Sequence, residues 1–253
     1  MQDNTRRFDG KASLYKQFRP SYPEEYFDYL FQKARLEPQD AIADIGAGTG
    51  IFTCQLLHRG FSVFAVEPGE DMRRQGQAQL GDDPALRWVA GSAEQTTLAP
   101  GSVGLVTAAQ AFHWFDREKF GAECRRILRP GGLVALVWNI RVPQCALTQK
   151  CAELFSRYCP GFTGFSGGSA TEPDAIEPFF LGGKMGYRQF SNDLFYDWDA
   201  FLGRMLSSSY APGQQDAQYP ALVEGLHQIF LEESQDGILR FPMRTRSFLG
   251  QPA

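Results

Sequence analysis

Cysteine and histidine are scarce in this chain of 253 residues, with five of the first and three of the second. The cysteines (Cys54, Cys124, Cys145, Cys151 and Cys159) are odd in number and none forms a C-x-x-C pair. That argues against a disulfide framework and fits a reduced, cytoplasmic setting. Cys145, Cys151 and Cys159 have no histidine nearby and the wrong spacing for a zinc knuckle, so no metal site is expected and the thiols read as small buried hydrophobes. Excess positive charge is also missing. With 25 Lys and Arg against 29 Asp and Glu the formal net charge is −4, which gives no electrostatic reason to expect nucleic acid or anionic membrane as a partner. Long apolar runs are absent as well. "LVALVW" (133–138) is far too short to cross a bilayer. "MQDNTRRFDG" at the start lacks the apolar core of a secretory signal. What is present, 43% apolar and 21% charged residues, suits a globular protein of one large domain or a domain with an appendage.

From residue 23 to about 140, short apolar runs alternate with helical stretches. Strands are predicted over 40–46, 61–68, 86–94, 102–112 and 133–139, with helices over 23–36, 50–60, 69–80 and 116–128. This alternation means parallel β-α-β units with right-handed crossovers, an α/β doubly wound sheet. After Asn139 the character changes. Residues 140–184 are rich in Gly, Pro and Phe and carry one clear helix around 145–158, so the connection reads as a lid or a long loop. Further on, 185–197 alternates like a strand, 198–209 and 219–234 read as helices, and 238–251 reads as a closing strand. Pro242 argues for an edge or a bulge in that last strand.

"DIGAGTG" (44–50) stands at the carboxyl end of the first strand, where parallel sheets bind ligands. Gly46, Gly48 and Gly50 let the backbone turn tightly and approach a ligand. A P-loop would need G-x-x-x-x-G-K-[ST], and the dinucleotide fingerprint G-x-G-x-x-G is broken by Ile51. Asp44 precedes the first glycine by two residues. It would repel a pyrophosphate but not a sulfonium or an α-ammonium group, and S-adenosylmethionine carries both. Glu67, about 20 residues beyond the loop at the end of the second strand, is placed to accept hydrogen bonds from ribose hydroxyls. It would equally serve to cap the helix that follows.

These segments resemble the class I S-adenosylmethionine-dependent methyltransferases, and within them the small-molecule type 11 group that includes trans-aconitate methyltransferase-like proteins. "ADIGAGTG" resembles the glycine-loop motif, "VFAVEP" the acidic motif, "VAGSAEQTTL" the segment that closes over adenine, and "TAAQAFHWFD" the delivery of the fourth strand to the active site. "RRILRPGGLVALVWN" and "YKQFRPSYP" add to the likeness. The resemblance covers residues 8–140 and implies a Rossmann-like doubly wound, mostly parallel seven-stranded sheet of order 3-2-1-4-5-7-6, with an inserted lid after strand 5. It divides a single domain into N-terminal cap helices (1–36), a cofactor-binding core (37–140), an acceptor-side insert with strand 6 (141–235) and a closing strand (236–253). It also implies that Asp44, Gly46, Ala47 and Gly48 line the methionine part of S-adenosylmethionine, and that Glu67 holds the ribose. Pro68 and Met72 would lie near the adenine, and Ser92, Ala93 and Glu94 would close on its edge. Gln110 and Phe112 would flank the sulfonium end. Tyr15 and Arg19 would cover the cofactor, Arg19 pairing with its carboxylate.

Methyl transfer from a sulfonium to a small acceptor is an in-line displacement, carried mainly by proximity in a dry site. The resemblance favours an oxygen acceptor, carboxylate or hydroxyl. His113 is the candidate catalytic group, either a base or an acceptor-orienting residue. Alternatively it bonds backbone and fixes the "HWFD" turn. Trp114, Phe115 and Trp138 are candidates for the acceptor pocket, although scattered aromatics more often pack cores. The competing enzyme is an NAD-linked oxidoreductase, and the competing non-enzyme is a catalytically silent S-adenosylmethionine-binding protein. The sequence sets neither the acceptor nor the oligomeric state.

Overall fold

The computed structural model describes residues 20–37, 39–165, 172–208 and 210–253. Helix α1 (Glu24–Ala34) follows Pro23, has Glu24 and Glu25 in its first turn, and stops where Arg35 turns left-handed. It leads into four parallel strands, β1 (Ala41–Ile45), β2 (Ser62–Val66), β3 (Leu86–Val89) and β4 (Val103–Ala109). Helices α2 (Ile51–Leu57), α3 (Glu70–Leu80) and α4 (Arg117–Ile127) fill the crossovers. The near-continuous burial of β1 and β4 is what a sheet covered on both faces requires. β5 (Leu128–Arg141) runs parallel to β4, and β9 (Met243–Gly250) inserts antiparallel between β5 and β6 (Gly186–Ser191). The seven-stranded order β3-β2-β1-β4-β5-β9-β6 is the expected one. Its numbers differ because two short strands, β7 (Leu194–Tyr196) and β8 (Leu239–Phe241), form a separate antiparallel pair.

Alternation along β5 builds two cores. Val134, Leu136 and Trp138 join Phe112, Phe120 and Phe248 on one side, while Ala135 and Val137 join Tyr26, Phe27 and Phe52 on the other. A third cluster holds the insert together. There α5 (Ala146–Tyr158), α6 (Trp198–Leu206) and α7 (Tyr219–Glu233) pack with β7 and β8 around Phe155, Phe201, Leu226 and Phe241.

Several predicted boundaries are corrected. The strand expected over 185–197 is two strands in different sheets, separated by Asn192 and Asp193. The closing strand over 238–251 is likewise broken at Pro242, which has no N–H to give to a ladder, into β8 and β9. The fourth strand ends at Ala109 rather than 112 because Gln110 adopts a positive φ of 59°. The third ends at Val89, before the turn in which Ser92 and Gln95 exchange backbone hydrogen bonds. The fifth begins at Leu128 and passes through "RPGG" with a register shift, instead of starting at 133.

Gly76 ties this framework to the glycine loop. A Cβ there would lie 2.3 Å from the Trp88 ring, and one on Gly50 would lie 3.4 Å from the same ring. Ala for Gly inside a helix ordinarily stabilises by about 1 kcal/mol. Gly76→Ala is instead expected to destabilise by about 1–3 kcal/mol through overpacking. Urea unfolding checks this, and a raised midpoint would show that Trp88 does not sit against the helix as described.

Candidate functional site

β1, β2 and β4 end side by side, and the chain beyond them encloses a cavity of about 310 Å³, within the size of small-molecule sites. The glycine loop forms its floor, with φ values of 70°, 58° and 83° at Gly46, Gly48 and Gly50. The three glycines answer different needs. A Cβ on Gly46 would meet Ala111 Cβ at 2.7 Å and one on Gly50 would meet Leu80 Cδ1 at 2.8 Å, whereas one on Gly48 would meet nothing within 4 Å. Gly46 and Gly50 are therefore required by packing, and Gly48 faces open space.

Asp44 has no exposed surface. Its Oδ2 accepts from Thr53 Oγ1 at 2.6 Å and its Oδ1 from Thr107 Oγ1 at 3.0 Å, so one carboxylate joins β1, α2 and β4. Burial raises its pKa to about 6 against the pull of the two threonines, and the charge of Glu67 adds to the rise. Glu67 stands one strand over. Its Oε2 accepts from the Gly48 N–H at 2.9 Å and its Oε1 from the Gly69 N–H at 2.8 Å. Burial pushes its pKa up while these backbone bonds oppose the shift. Gln110, in its left-handed conformation, is held by its own N–H to the Val137 carbonyl (2.9 Å) and by its Nε2 to the Asn139 carbonyl (3.1 Å). Glu94 Oε1 accepts from the Asp116 N–H, and Asp116 in turn caps α4 through the Lys119 N–H.

Comparison with known proteins agrees with this geometry. The family model described as "Methyltransferase domain" matches residues 43–136, from the middle of β1 to the middle of β5. In sequence and in strand order residues 43–136 are similar to a class I methyltransferase domain. An uncharacterized methyltransferase of Mycobacterium tuberculosis (strain H37Rv) is 37% identical over 155 residues, 61% of each chain. An uncharacterized methyltransferase of Schizosaccharomyces pombe is 31% identical over 157 residues. The match thus spans about 61% of the length of the first of these relatives. A solved structure of a candidate type II methyltransferase from Anaeromyxobacter dehalogenans superposes with a TM-score of 0.66 at 26% identity, over 92% of this chain and 98% of the other. Phospholethanolamine N-methyltransferase 2 of Haemonchus contortus, solved with phosphomonomethylethanolamine and S-adenosylhomocysteine, shares the fold at a TM-score of 0.55 and 17% identity, covering 97% of this chain and 58% of that one. The methyl donor of the class is S-adenosylmethionine.

The cavity brings most of the sequence candidates together. Asp44, Gly46, Ala47, Gly48, Glu67, Pro68, Met72, Ser92, Ala93, Glu94, Gln110, Trp114 and Phe115 all line the cavity. Phe112 and Trp138 do not. Both are buried in the core, where Phe112 meets Trp138 edge-on at 6.2 Å and Phe179 at 4.9 Å. His113 is exposed beside Trp114, ring to ring at 4.7 Å, and is not part of the lining. Tyr15 and Arg19 lie outside the described residues. Eight lining residues were not among the sequence candidates: Pro20, Tyr22, Thr49, Ile51, Phe52, Gly69, Ala109 and Ala111. The Thr49 hydroxyl is buried there without a hydrogen-bond partner. Among the described residues no group of three His, Cys, Asp or Glu is placed to hold a metal ion, and no helix is long and apolar enough to cross a membrane.

The buried Asp44 makes a signed prediction. Its folded pKa, about 6, lies above the ordinary 3.8. The folded state therefore binds this proton more tightly, and the stability linked to it is lost as pH rises from 3.8 through about 6. In Asp44→Asn the carbonyl still accepts from Thr53, the amide donates to Thr107, and Thr107 turns to the Ala43 carbonyl. This variant is expected to be more stable than wild type by roughly 2–3 kcal/mol at pH 7.5, with the gap closing toward pH 4. Urea titrations across that range decide it. A variant less stable at every pH would mean that the carboxylate is not penalised by burial.

Proposed function

We propose that the chain is an S-adenosylmethionine-dependent methyltransferase that methylates a small molecule at an oxygen, carboxylate or hydroxyl, in a reducing, cytoplasmic setting. The observation that carries this is the charge of the cavity. Asp44, Glu67 and Glu94 line it, and no Lys, Arg or His does so among the described residues. A cationic donor is attracted to such a wall and a pyrophosphate is repelled by it. The amide best placed to cradle a phosphate, the Gly48 N–H, already donates to Glu67. Both facts weigh against a nicotinamide dinucleotide.

The residues present fit the donor. Open space lies over Gly48, the Thr49 hydroxyl has no partner within the protein, and Glu67 has acceptor capacity beyond the two amides it serves. In this proposal Glu67 accepts from the ribose hydroxyls. Pro68 and Met72 flank the adenine, while Ser92, Ala93 and Glu94 bound its edge. Asp44 and the Gly46–Gly48 backbone face the methionine end. The carboxamide of Gln110, anchored through its nitrogen, offers its oxygen to the α-ammonium. Arg19 and Tyr15 keep the covering roles that the resemblance implies. S-adenosylmethionine, when bound, supplies a methyl group on a sulfonium sulfur for in-line displacement.

The acceptor enters beside Trp114 and Phe115, with residues 141–235 forming its side of the site. Phe112 and Trp138 act from below, as the packed footing of the turn that carries Gln110. His113, beside Trp114 but outside the cavity lining, orients the acceptor; a carboxylate has no proton to lose and needs no base, whereas for a hydroxyl acceptor His113 is the candidate to take the proton.

Calorimetry tests the donor site. S-adenosylhomocysteine is expected to bind with micromolar affinity or better and NADH to give no heat. Gly48→Ala places a methyl group in the open space at a positive φ, and is expected to weaken S-adenosylhomocysteine at least about tenfold while costing about 1–2 kcal/mol of stability. Transfer of labelled methyl from S-adenosylmethionine to a pooled small-molecule extract tests turnover. Tight donor binding without transfer would make the protein a silent binder.

A further inference from the structure

We propose that Asn139 is a positioning residue for donor binding: its carboxamide holds Pro20 and Ser21 so that the segment through Tyr22 stands as a wall of the cavity. This rests on reading the cavity as the donor site. Asn139 lies near the carboxyl end of β5, is 3% exposed, and does not itself line the cavity. Its Nδ2 donates to the Ser21 carbonyl at 3.1 Å and to the Pro20 carbonyl at 3.3 Å. Its Oδ1 accepts from Thr245 Oγ1 at 2.5 Å and from Asn192 Nδ2 at 3.0 Å. Asn192 Nδ2 reaches the Ser21 carbonyl as well, at 2.9 Å. Every donor and acceptor position of the Asn139 carboxamide is thereby used. The backbone carbonyl of the same residue takes the Gln110 side chain, so one position fixes two parts of the cavity lining.

Two sets of hydrogen bonds attach the wall at this point. Tyr22 is pinned to α2, where its N–H donates to Gln55 Oε1 (3.0 Å), its carbonyl accepts from Gln55 Nε2 (2.9 Å), and its ring stands edge-on to Phe52. Pro20 and Ser21 are pinned to Asn139 and Asn192. Chemistry limits what can replace the amide. Aspartate would set a carboxylate against two carbonyl oxygens. Leucine would take from the Pro20 carbonyl and the Thr245 hydroxyl the partner that Asn139 gives them and leave the Ser21 carbonyl with Asn192 alone. Serine would be too short to reach from β5 to both.

The test measures S-adenosylhomocysteine affinity and Tyr22 amide exchange in full-length protein. At pH 8, Asn139→Asp is expected to bind S-adenosylhomocysteine at least about tenfold more weakly than wild type and to exchange its Tyr22 amide faster. As pH falls toward 5.5 the introduced acid regains a proton, donates to the Ser21 carbonyl, and recovers affinity relative to wild type at the same pH. The groups facing the position (the Pro20 and Ser21 carbonyls, Thr245, the Asn192 amide and Gln110) do not titrate in that range, and Asp44, which titrates near 6 in the cavity, is common to both proteins, so the recovery relative to wild type reads position 139. Asn192→Ala, which leaves Asn139 and the core in place, is expected to weaken binding about threefold to fivefold at every pH with an unchanged thermal midpoint. Equal affinity in wild type and both variants would overturn the role of Asn139 and leave the donor site standing. Absence of S-adenosylhomocysteine binding in wild type would overturn the donor site itself.

Discussion

A carboxylate without solvent is expensive, and Asp44 is kept where it is by two threonine hydroxyls that arrive from different elements. Thr53 comes from the helix that follows the glycine loop, and Thr107 from the neighbouring strand. Because each hydroxyl bonds one oxygen, the acid works as a three-way joint between β1, α2 and β4. The glycine loop leaves β1 and enters α2, so both of its ends are set by this joint. Glu67 then fixes the middle of the loop through the Gly48 N–H. Two of the three acids that give the cavity its negative charge, Asp44 and Glu67, are also groups that shape it, and the burial that strengthens their field is what raises both pKa values.

Strain is concentrated on the same side. Gln110 is one of the few non-glycine residues with positive φ, and it sits where β4 gives out. Such a conformation persists only when neighbours over-determine it. Here the backbone N–H and side-chain amide of Gln110 are tied to the Val137 and Asn139 carbonyls of β5, and Phe112, two residues on, packs against Phe120 and Phe179. Aromatic residues that sequence order places beside the ligand are thus used to hold the backbone that meets it. A packed footing excludes water without touching the reacting groups.

The parallel core was legible because each of its signals is local. A buried strand, a dense run of glycines and an acid at the next strand end are contiguous features, and they led to Asp44, Gly48 and Glu67 directly. Contacts across the chain left no such trace. Thr53 and Thr107 look like ordinary helix and strand residues until Asp44 is seen between them. Tyr22 lies in "YKQFRPSYP" and Phe52 in the helix after the glycine loop, and nothing in either segment tells that the two rings meet edge-on at the cavity. The resemblance set Phe112 at the sulfonium end and residue type drew Trp138 toward the acceptor pocket, yet neither tells which face of a strand end a ring takes. The strand over 185–197 alternates throughout, and alternation names a face but not a partner. Its two halves therefore could not be assigned to two sheets beforehand.

The same contrast separates the donor side of the molecule from the acceptor side. The donor side is made of backbone geometry within a few residues of each strand end, so it keeps its form whatever the insert does. The segment from Pro20 to Tyr22 is the exception, since it is held by Asn139 at a separation of 118 residues and by Asn192 at 171. Asn192 is the hinge point between β6 in the main sheet and β7 in the insert. A change in the insert that moves Asn192 must loosen Ser21, and loosening Ser21 alters a wall of the cavity. By linkage the effect is reciprocal: whatever free energy the insert contributes to holding the donor, the donor returns to ordering the insert. The insert is in this way joined to the glycine-loop side of the molecule through the amides of two asparagines.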